Sequence, residues 1–296
     1  MTEQSGPSGS SSYLTGLIGA GIGPSLSPAL HEREADRHGL RLVYRTLDID
    51  ELGVGPEAVG ELVRAARLLG FDGLNITHPC KQLVIEHLDE VDPAAAALGA
   101  VNTVVFRDGR AIGHNTDATG FARSFARGLP GVATGQVVLL GAGGAGAAVA
   151  HALLTLGVER LGVADTEPVR AGALAGALNS RFGAGRASAV AMAELAPRLA
   201  AADGLVHATP TGMAGHPGLP LDAGLLRPGL WVAEVVYRPL DTELLRRARE
   251  IGSPTLDGGA MAVFQAADAF RLFTGREPDP ERMLADLAEL VGVPAV

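Results

Sequence analysis

Two stretches of this chain carry residue types spaced for chemistry. The first is Gly141-Ala142-Gly143-Gly144-Ala145-Gly146, a G-x-G-x-x-G run that follows an apolar strand and opens a helix. In such a run the first glycine permits a tight turn, the second lets a pyrophosphate approach the backbone, and the third lets helix and strand pack closely. The helix N-terminus adds a favourable field for phosphate. In a chain with 40 glycines the bare pattern is weak, and an ordinary strand–helix turn would look the same. Its context is stronger, because the next strand ends at Asp165, 19 residues beyond Gly146. A carboxylate there accepts hydrogen bonds from adenosine ribose hydroxyls and repels the 2′-phosphate of NADP. Arg170, the nearest cation and the last of the cofactor-side candidates in this stretch, stands five positions on. The charge pattern predicts NAD, with NADP disfavoured.

The second stretch is a polar constellation at the ends of expected strands. It comprises Ser25 and Ser27, then Asn75, Thr77 and Lys81, then Asn102, and finally Asn115-Thr116-Asp117. Hydroxyl and amide groups in this number suit a small polyhydroxylated substrate with a carboxylate and do not suit an apolar ligand. Lys81 and Asp117 form the one evident acid–base pair. If they converge, the lysine can pass a proton to or from a substrate hydroxyl while hydride leaves the same carbon, with the aspartate orienting it. Other chemistries fit less well. The eight histidines include no H-E-x-x-H, so no metal site is expected. His31 and His38 read as a solvated or partnered helix face, and Cys80 as a packing residue at a helix start. No G-x-S-x-G elbow occurs.

These residues need elements to hold them, and strand-like and helix-like patterns alternate from end to end, as in an α/β protein with parallel sheets. Strands are expected over 13–20, 43–49 and 71–76, with a hairpin of 100–107 and 110–115 joined at Asp108-Gly109. Helices are expected from Ser27, with Pro28 at the first position, over 56–69, from Pro79, and from Asp117. Short buried strands then follow at 137–140, 161–165, 187–191, 205–209 and 231–236, with helices over 146–156, 168–182 and 192–201 between them. Two further helices, 259–273 and 279–291, are expected to pack back onto the first domain. The division predicted is a disordered tail (1–12), a discontinuous substrate domain (13–117 plus 259–296) and a Rossmann-type dinucleotide-binding domain (118–258).

Composition agrees with a globular chain: 296 residues, 47% apolar and 19% charged. The net charge of −9 with no basic run disfavours nucleic-acid and acidic-membrane partners. A lone cysteine excludes an intrachain disulfide and suits a reducing cytoplasm. The polar N-terminus does not resemble a signal peptide. The stretch 137–158 carries no formal charge, but its glycines favour strand, turn and helix over a membrane span. The expected partner is a small molecule, and the chain is expected to be a monomer or homodimer.

Eight segments in order resemble the shikimate dehydrogenase family, and within it the NAD-preferring quinate/shikimate dehydrogenases. They are Ser25-Leu26-Ser27-Pro28, Asn75-Ile76-Thr77-His78-Pro79-Cys80-Lys81, Gly99-Ala100-Val101-Asn102-Thr103 and Gly113-His114-Asn115-Thr116-Asp117. The glycine run, Ala208-Thr209-Pro210-Thr211-Gly212-Met213, Val236-Tyr237-Arg238-Pro239 and Asp257-Gly258-Gly259-Ala260-Met261 with Gln265 complete them. The resemblance implies reversible oxidation of a ring hydroxyl of shikimate or quinate. It implies that Ser25 and Ser27 hold the substrate carboxylate, that Thr77, Asn102, Asp117 and Gln265 hold ring hydroxyls, and that Lys81 shuttles the proton. Tyr237 would border the site, with Thr209, Met213, Val235 and Gly258 along the nicotinamide half. Many biosynthetic relatives carry Asn-Arg-Thr where this chain has Ala164-Asp165-Thr166, which agrees with the charge argument for NAD. The usual His before the first serine is Pro24 here. An NADP-dependent shikimate dehydrogenase and a dehydrogenase of an amino-substituted ring acid stay open as alternatives.

Overall fold

The computed structural model describes residues 12–292, so the expected tail falls outside it except for Ser12, which opens a strand. In chain order the elements are β1 (Ser12–Gly19), α1 (Ser27–Arg37), β2 (Arg41–Asp48), α2 (Ile49–Leu52), α3 (Val59–Leu68), β3 (Gly73–Ile76), β4 (Glu90–Val91), α4 (Pro93–Leu98), β5 (Thr103–Arg107) and β6 (Arg110–His114). Next come α5 (Asp117–Gly128), β7 (Gln136–Leu140), α6 (Gly144–Thr155), β8 (Arg160–Ala164), α7 (Pro168–Phe182), β9 (Ala187–Ala189), α8 (Leu195–Ala201) and β10 (Gly204–His207). The chain ends with β11 (Trp231–Glu234), α9 (Glu243–Glu250), β12 (Thr255–Leu256), α10 (Gly259–Thr274) and α11 (Pro280–Leu290). It is a two-domain α/β protein. One compact unit holds the described residues up to Pro93, Val101–His114 and those from Ala266 onward; the other holds Ala94–Ala100 and Asn115–Gln265.

The first unit is built on a six-stranded sheet of order β2-β1-β3-β5-β6-β4. β1 pairs in parallel with β2 and β3, β5 and β6 form the expected antiparallel hairpin, and β5 also runs antiparallel to β3, so this sheet is mixed. The β5–β6 turn places Asp108 at φ 52° and Gly109 at φ 73°, the paired positive angles that a two-residue hairpin needs. Because β5 opposes β3, the carboxyl ends of β1 and β3 share an edge with the start of β5 and the end of β6. Ile18 pairs with Ile76, Asn75 with Thr103, and Thr103 with His114. That edge carries the polar constellation of this unit.

The last helix is tied to the first by charge. Arg37 of α1 grips Asp286 of α11 through both guanidinium nitrogens, at 2.7 and 2.5 Å, and also reaches Glu34 at 3.1 Å. Glu34 in turn accepts from the Asp279 N–H at 2.8 Å. With Asp286 and Glu34 nearly buried, the fork geometry holds the Arg37 proton more tightly than usual.

The second unit contains a parallel six-stranded sheet of order β12-β11-β10-β7-β8-β9. The order reverses between β7 and β10, and the carboxyl edge at such a reversal is where doubly wound sheets take their ligands. The stretch with no formal charge becomes β7, a glycine turn and the twelve-residue α6, and no helix among the described residues is long and apolar enough to cross a membrane.

Several expectations are corrected. No helix starts at Pro79; the residues from Thr77 to Gln82 form turns, the His78–Pro79 peptide is cis, and only a 3₁₀ turn over Leu83–His87 follows. Pro28 sits second in α1, after Ser27. The two compact units divide at Asn115 and, within α10, at Gln265. The cause is that α10 serves both cores: Met261 packs into the cluster around Phe121 and Leu139, whereas Phe270 and Phe273 pack under the first sheet.

Candidate active site

The glycine turn after β7 is fitted to its surroundings by two of the three glycines at its G-x-G-x-x-G positions. Gly141 has φ 104°, and a Cβ there would stand 2.6 Å from the Ala208 carbonyl. A Cβ on Gly146 would stand 2.0 Å from the Gly141 carbonyl. Gly143 differs: its φ of −76° suits any residue, and a Cβ would meet no atom within 4 Å. Gly143 is the N-cap of α6, no side chain caps that helix, and Gly144 and Ala145 are partly exposed. Open space above the middle glycine, beside uncapped helix N–H groups, is a place where an anionic group can lie against the backbone. The turn therefore fits the pyrophosphate of a dinucleotide.

Asp165 follows β8 beside this turn. Its Oδ2 accepts from the Ala142 N–H at 2.7 Å and its Oδ1 from the Glu167 N–H at 2.8 Å, so the carboxylate is locked in orientation by the backbone. Arg170 pairs with Glu167 at 3.0 Å, both side chains being well exposed. Arg170, the next cation along the chain, is thus already matched by a carboxylate.

The segment after β10 meets the same turn, and the segment after β11 packs beside it. Thr209 Cγ2 lies 3.0 Å from where a Gly141 Cβ would be. The Val235 N–H donates to the His207 carbonyl at 3.0 Å, and a Cβ on Gly258 would stand 2.4 Å from the Val235 carbonyl. Met213 is exposed in the loop that His216 closes onto Gly212 by a 2.6 Å bond. Tyr237 is partly exposed two residues beyond Val235. Beneath them lies a buried His207–Glu234 pair, with His207 Nδ1 2.9 and 3.0 Å from the two carboxylate oxygens. The sequence reading passed over this pair, although a histidine and a glutamate ending Leu-Val and Val-Ala runs are a visible break in two buried strands.

In the first unit, backbone bonds stitch the polar residues of the sheet edge together. The Thr77 N–H donates to Ile18 at 2.9 Å and the Ala20 N–H to His78 at 3.0 Å, joining the segment after β3 to the end of β1. On its other side, the Val101 N–H donates to the Lys81 carbonyl at 2.8 Å, next to Asn102. Asn102 Oδ1 accepts from the Thr103 hydroxyl at 3.0 Å, and Asn75 bridges to Tyr44 at 2.8 Å and to Thr103 at 3.1 Å. Ser25 and Ser27 sit in a turn where the Ser25 N–H donates to Ile22 at 2.9 Å and the Ser27 N–H to the Ser25 hydroxyl at 3.2 Å. Asp48, also passed over in the sequence, clamps that turn by accepting from the N–H groups of Gly21 and Ile22 at 3.0 and 2.7 Å.

Asp117 and Gln265 belong to the second unit, as does Tyr237. Asp117 is nearly buried at the start of α5, its N–H accepted by Asn115 at 3.0 Å. Gln265 donates to the Ala262 carbonyl at 2.9 Å within α10. Cys80 is fully buried, and burial pushes its thiol up to about 11, so it stays protonated and packs, as read from the sequence. His31 is neither solvated nor partnered: it is wholly buried among Tyr44, Phe270 and Phe273, and neither ring nitrogen has a hydrogen bond. α1 lies on the sheet with that face inward, which two histidines seven residues apart do not reveal. His38 does have a partner, Glu34 at 3.1 Å.

The family model of the shikimate dehydrogenase substrate binding domain matches residues 17–104, and that of the shikimate 5'-dehydrogenase C-terminal domain matches 260–287. A shikimate dehydrogenase (NADP(+)) of Streptomyces avermitilis is 74% identical over 285 residues, 96% of this chain and 98% of the relative. The chain belongs to the shikimate dehydrogenase family. A quinate/shikimate dehydrogenase (NAD(+)) of Corynebacterium efficiens is 52% identical over 94% of this chain and 99% of its own length. Among solved structures, the quinate dehydrogenase of Corynebacterium glutamicum in complex with NAD superposes with a TM-score of 0.87 at 48% identity, covering 94% of this chain and 99% of that one.

Proposed function

We propose that this chain oxidises a ring hydroxyl of shikimate, quinate or both, reversibly, and uses NAD in preference to NADP. The observation that carries the nucleotide preference is Asp165, a carboxylate fixed by two backbone N–H groups beside the glycine turn, with Arg170, the next cation along the chain, matched by Glu167. A ribose diol can donate to such a carboxylate, whereas a 2′-phosphate would bring like charge against it. The bound nicotinamide supplies the hydride acceptor and, in reverse, the donor.

The chain's own residues do the remaining work. Ser25 and Ser27, in the turn that Asp48 clamps, hold the substrate carboxylate. Thr77, Asn102, Asp117 and Gln265 take ring hydroxyls, and Tyr237 borders the ring. Lys81 moves the hydroxyl proton, and its pairing with Asp117 rests on the family likeness. The second unit's Gly141–Gly146 turn, Asp165, Arg170, Thr209, Met213, Val235 and Gly258 face the nucleotide.

The NADP name of the Streptomyces relative favours a second reading, a shikimate dehydrogenase that uses NADP. Steady-state kinetics with quinate and shikimate, each with NAD and NADP, separate the two. The expected result is a higher kcat/KM with NAD for whichever acid is turned over, with the NAD:NADP ratio falling about tenfold in Asp165→Asn. A higher kcat/KM with NADP overturns the preference, and no turnover of either acid overturns the activity.

A further inference from the structure

His207 and Glu234 end adjacent parallel strands, in register, and both are nearly or wholly buried. Burying an imidazole and a carboxylate is costly, and an apolar pair would serve the sheet at least as well. Here every carboxylate oxygen is used. Glu234 Oε1 takes His207 Nδ1 at 2.9 Å and the Val236 N–H at 3.1 Å; Oε2 takes the same nitrogen at 3.0 Å and the Thr242 hydroxyl at 3.3 Å. Thr242 is itself fixed, capping α9 by accepting from the Leu245 N–H at 3.3 Å. The chain of bonds therefore begins in a helix cap, passes through the sheet and leaves by His207 Nε2.

Its outer end is Thr209. His207 Nε2 bonds the Thr209 hydroxyl, which also accepts from the Thr211 N–H at 3.3 Å. Thr209 is only partly buried, and its methyl abuts the first glycine of the turn. In the neutral tautomer that gives Nδ1–H to the carboxylate, Nε2 is the acceptor and the Thr209 proton points at it. The hydroxyl is then left with one lone pair, an acceptor for a ligand N–H.

We propose that His207 and Glu234 are positioning residues that lock the Thr209 hydroxyl as a hydrogen-bond acceptor for an amide N–H of the bound dinucleotide. The proposal rests on the reading of the glycine turn as the dinucleotide site.

Two substitutions at one position test it. Asn at 207 can keep an amide N–H donor near the Nδ1 position but cannot reach Thr209; Gln can present its amide oxygen near the Nε2 position, as an acceptor for the Thr209 hydroxyl. Binding is measured by calorimetric titration with NADH or NADPH, whichever the wild type holds more tightly, alongside apo melting and kcat. His207→Asn and Thr209→Val are expected to weaken binding about fivefold to tenfold, the scale of one hydrogen bond. The double variant should bind no more weakly than either alone, and His207→Gln should stay within about twofold of wild type while melting no higher than His207→Asn. Wild-type binding by His207→Asn or Thr209→Val overturns the proposal, as does equal weakening by His207→Asn and His207→Gln. A wild type that binds neither nucleotide overturns the glycine-turn reading, and the proposal with it.

Discussion

Replacing Gly143 with alanine separates what the glycine turn does for the fold from what it does for a ligand. The backbone at this residue, φ −76° and ψ −171°, is open to alanine, and the new Cβ would touch nothing within 4 Å. Stability should therefore change by no more than about 1 kcal/mol, since the weaker N-cap preference of alanine opposes its smaller unfolded-state entropy. The same methyl group would occupy the open space above the turn, holding a pyrophosphate off the backbone N–H groups. Losing one such charge-assisted bond should weaken dinucleotide binding by about 10-fold to 100-fold, about 1.4 to 2.7 kcal/mol. Gly146→Ala is the contrast, because its Cβ would lie 2.0 Å from the Gly141 carbonyl and force the helix off the strand. That variant should lose about 1 to 3 kcal/mol of apo stability as well as binding. Calorimetric melting without ligand, then titration with NADH, reads both quantities. A folded Gly143→Ala protein with wild-type affinity would refute the account of where the pyrophosphate lies.

Lys81→Ala should lower kcat by about 10²-fold to 10⁴-fold with only a few-fold change in KM for the acid, as a proton-transfer role requires; near-normal kcat would remove Lys81 from the chemistry. His31, held neutral by burial with its proton affinity lowered to about 3, should make the protein acid-sensitive. The unfolded histidine takes up a proton below about 6.5 while the folded one does not, so stability is present above that pH and falls as pH drops toward 3. Between pH 7 and pH 5 the loss works out to about 2 kcal/mol. His31→Phe should remove it in urea titrations at the two pH values, and an unchanged pH slope in that variant would contradict the assignment.

Legibility from sequence followed how local the physical demand was. The turn around Gly141 and Gly146 was readable because a single backbone angle and a single carbonyl contact forbid side chains there. α7 was read with its bounds intact because Pro168 opens it and Gly183 ends it. The expected helix at Pro79 failed because proline marks turns as readily as helix starts, and here it sits in one. β4 and β12, at two residues each, are too short to show a period. α4 and α9 were missed despite signals: Pro93 before four alanines, and Thr242 as a cap before an amphipathic run. In the candidate site, chemistry-bearing residue types were visible, but Asp48 and Glu234 were not singled out, since acidic residues at strand ends are usually solvated.

Buried polar groups in this fold divide by whether their bonds lead anywhere. Asp48 spends its carboxylate on the turn that carries Ser25 and Ser27; Asn75 and Tyr44 bond into the edge that carries Asn102; Glu234 and His207 bond outward to Thr209. Asp48, Asn75, His207 and Glu234 stand at or beside the carboxyl ends of parallel strands, where a ligand can draw on the geometry they fix. His31, by contrast, is wrapped in aromatic rings with both nitrogens unbonded, and its burial only penalises the charged form. An apolar ring at position 31 would pack equally well, whereas an apolar side chain at 48 or 234 would release a turn or a hydroxyl. Cost to the fold is common to all of them; orientation of a neighbour is what distinguishes the groups that serve the site.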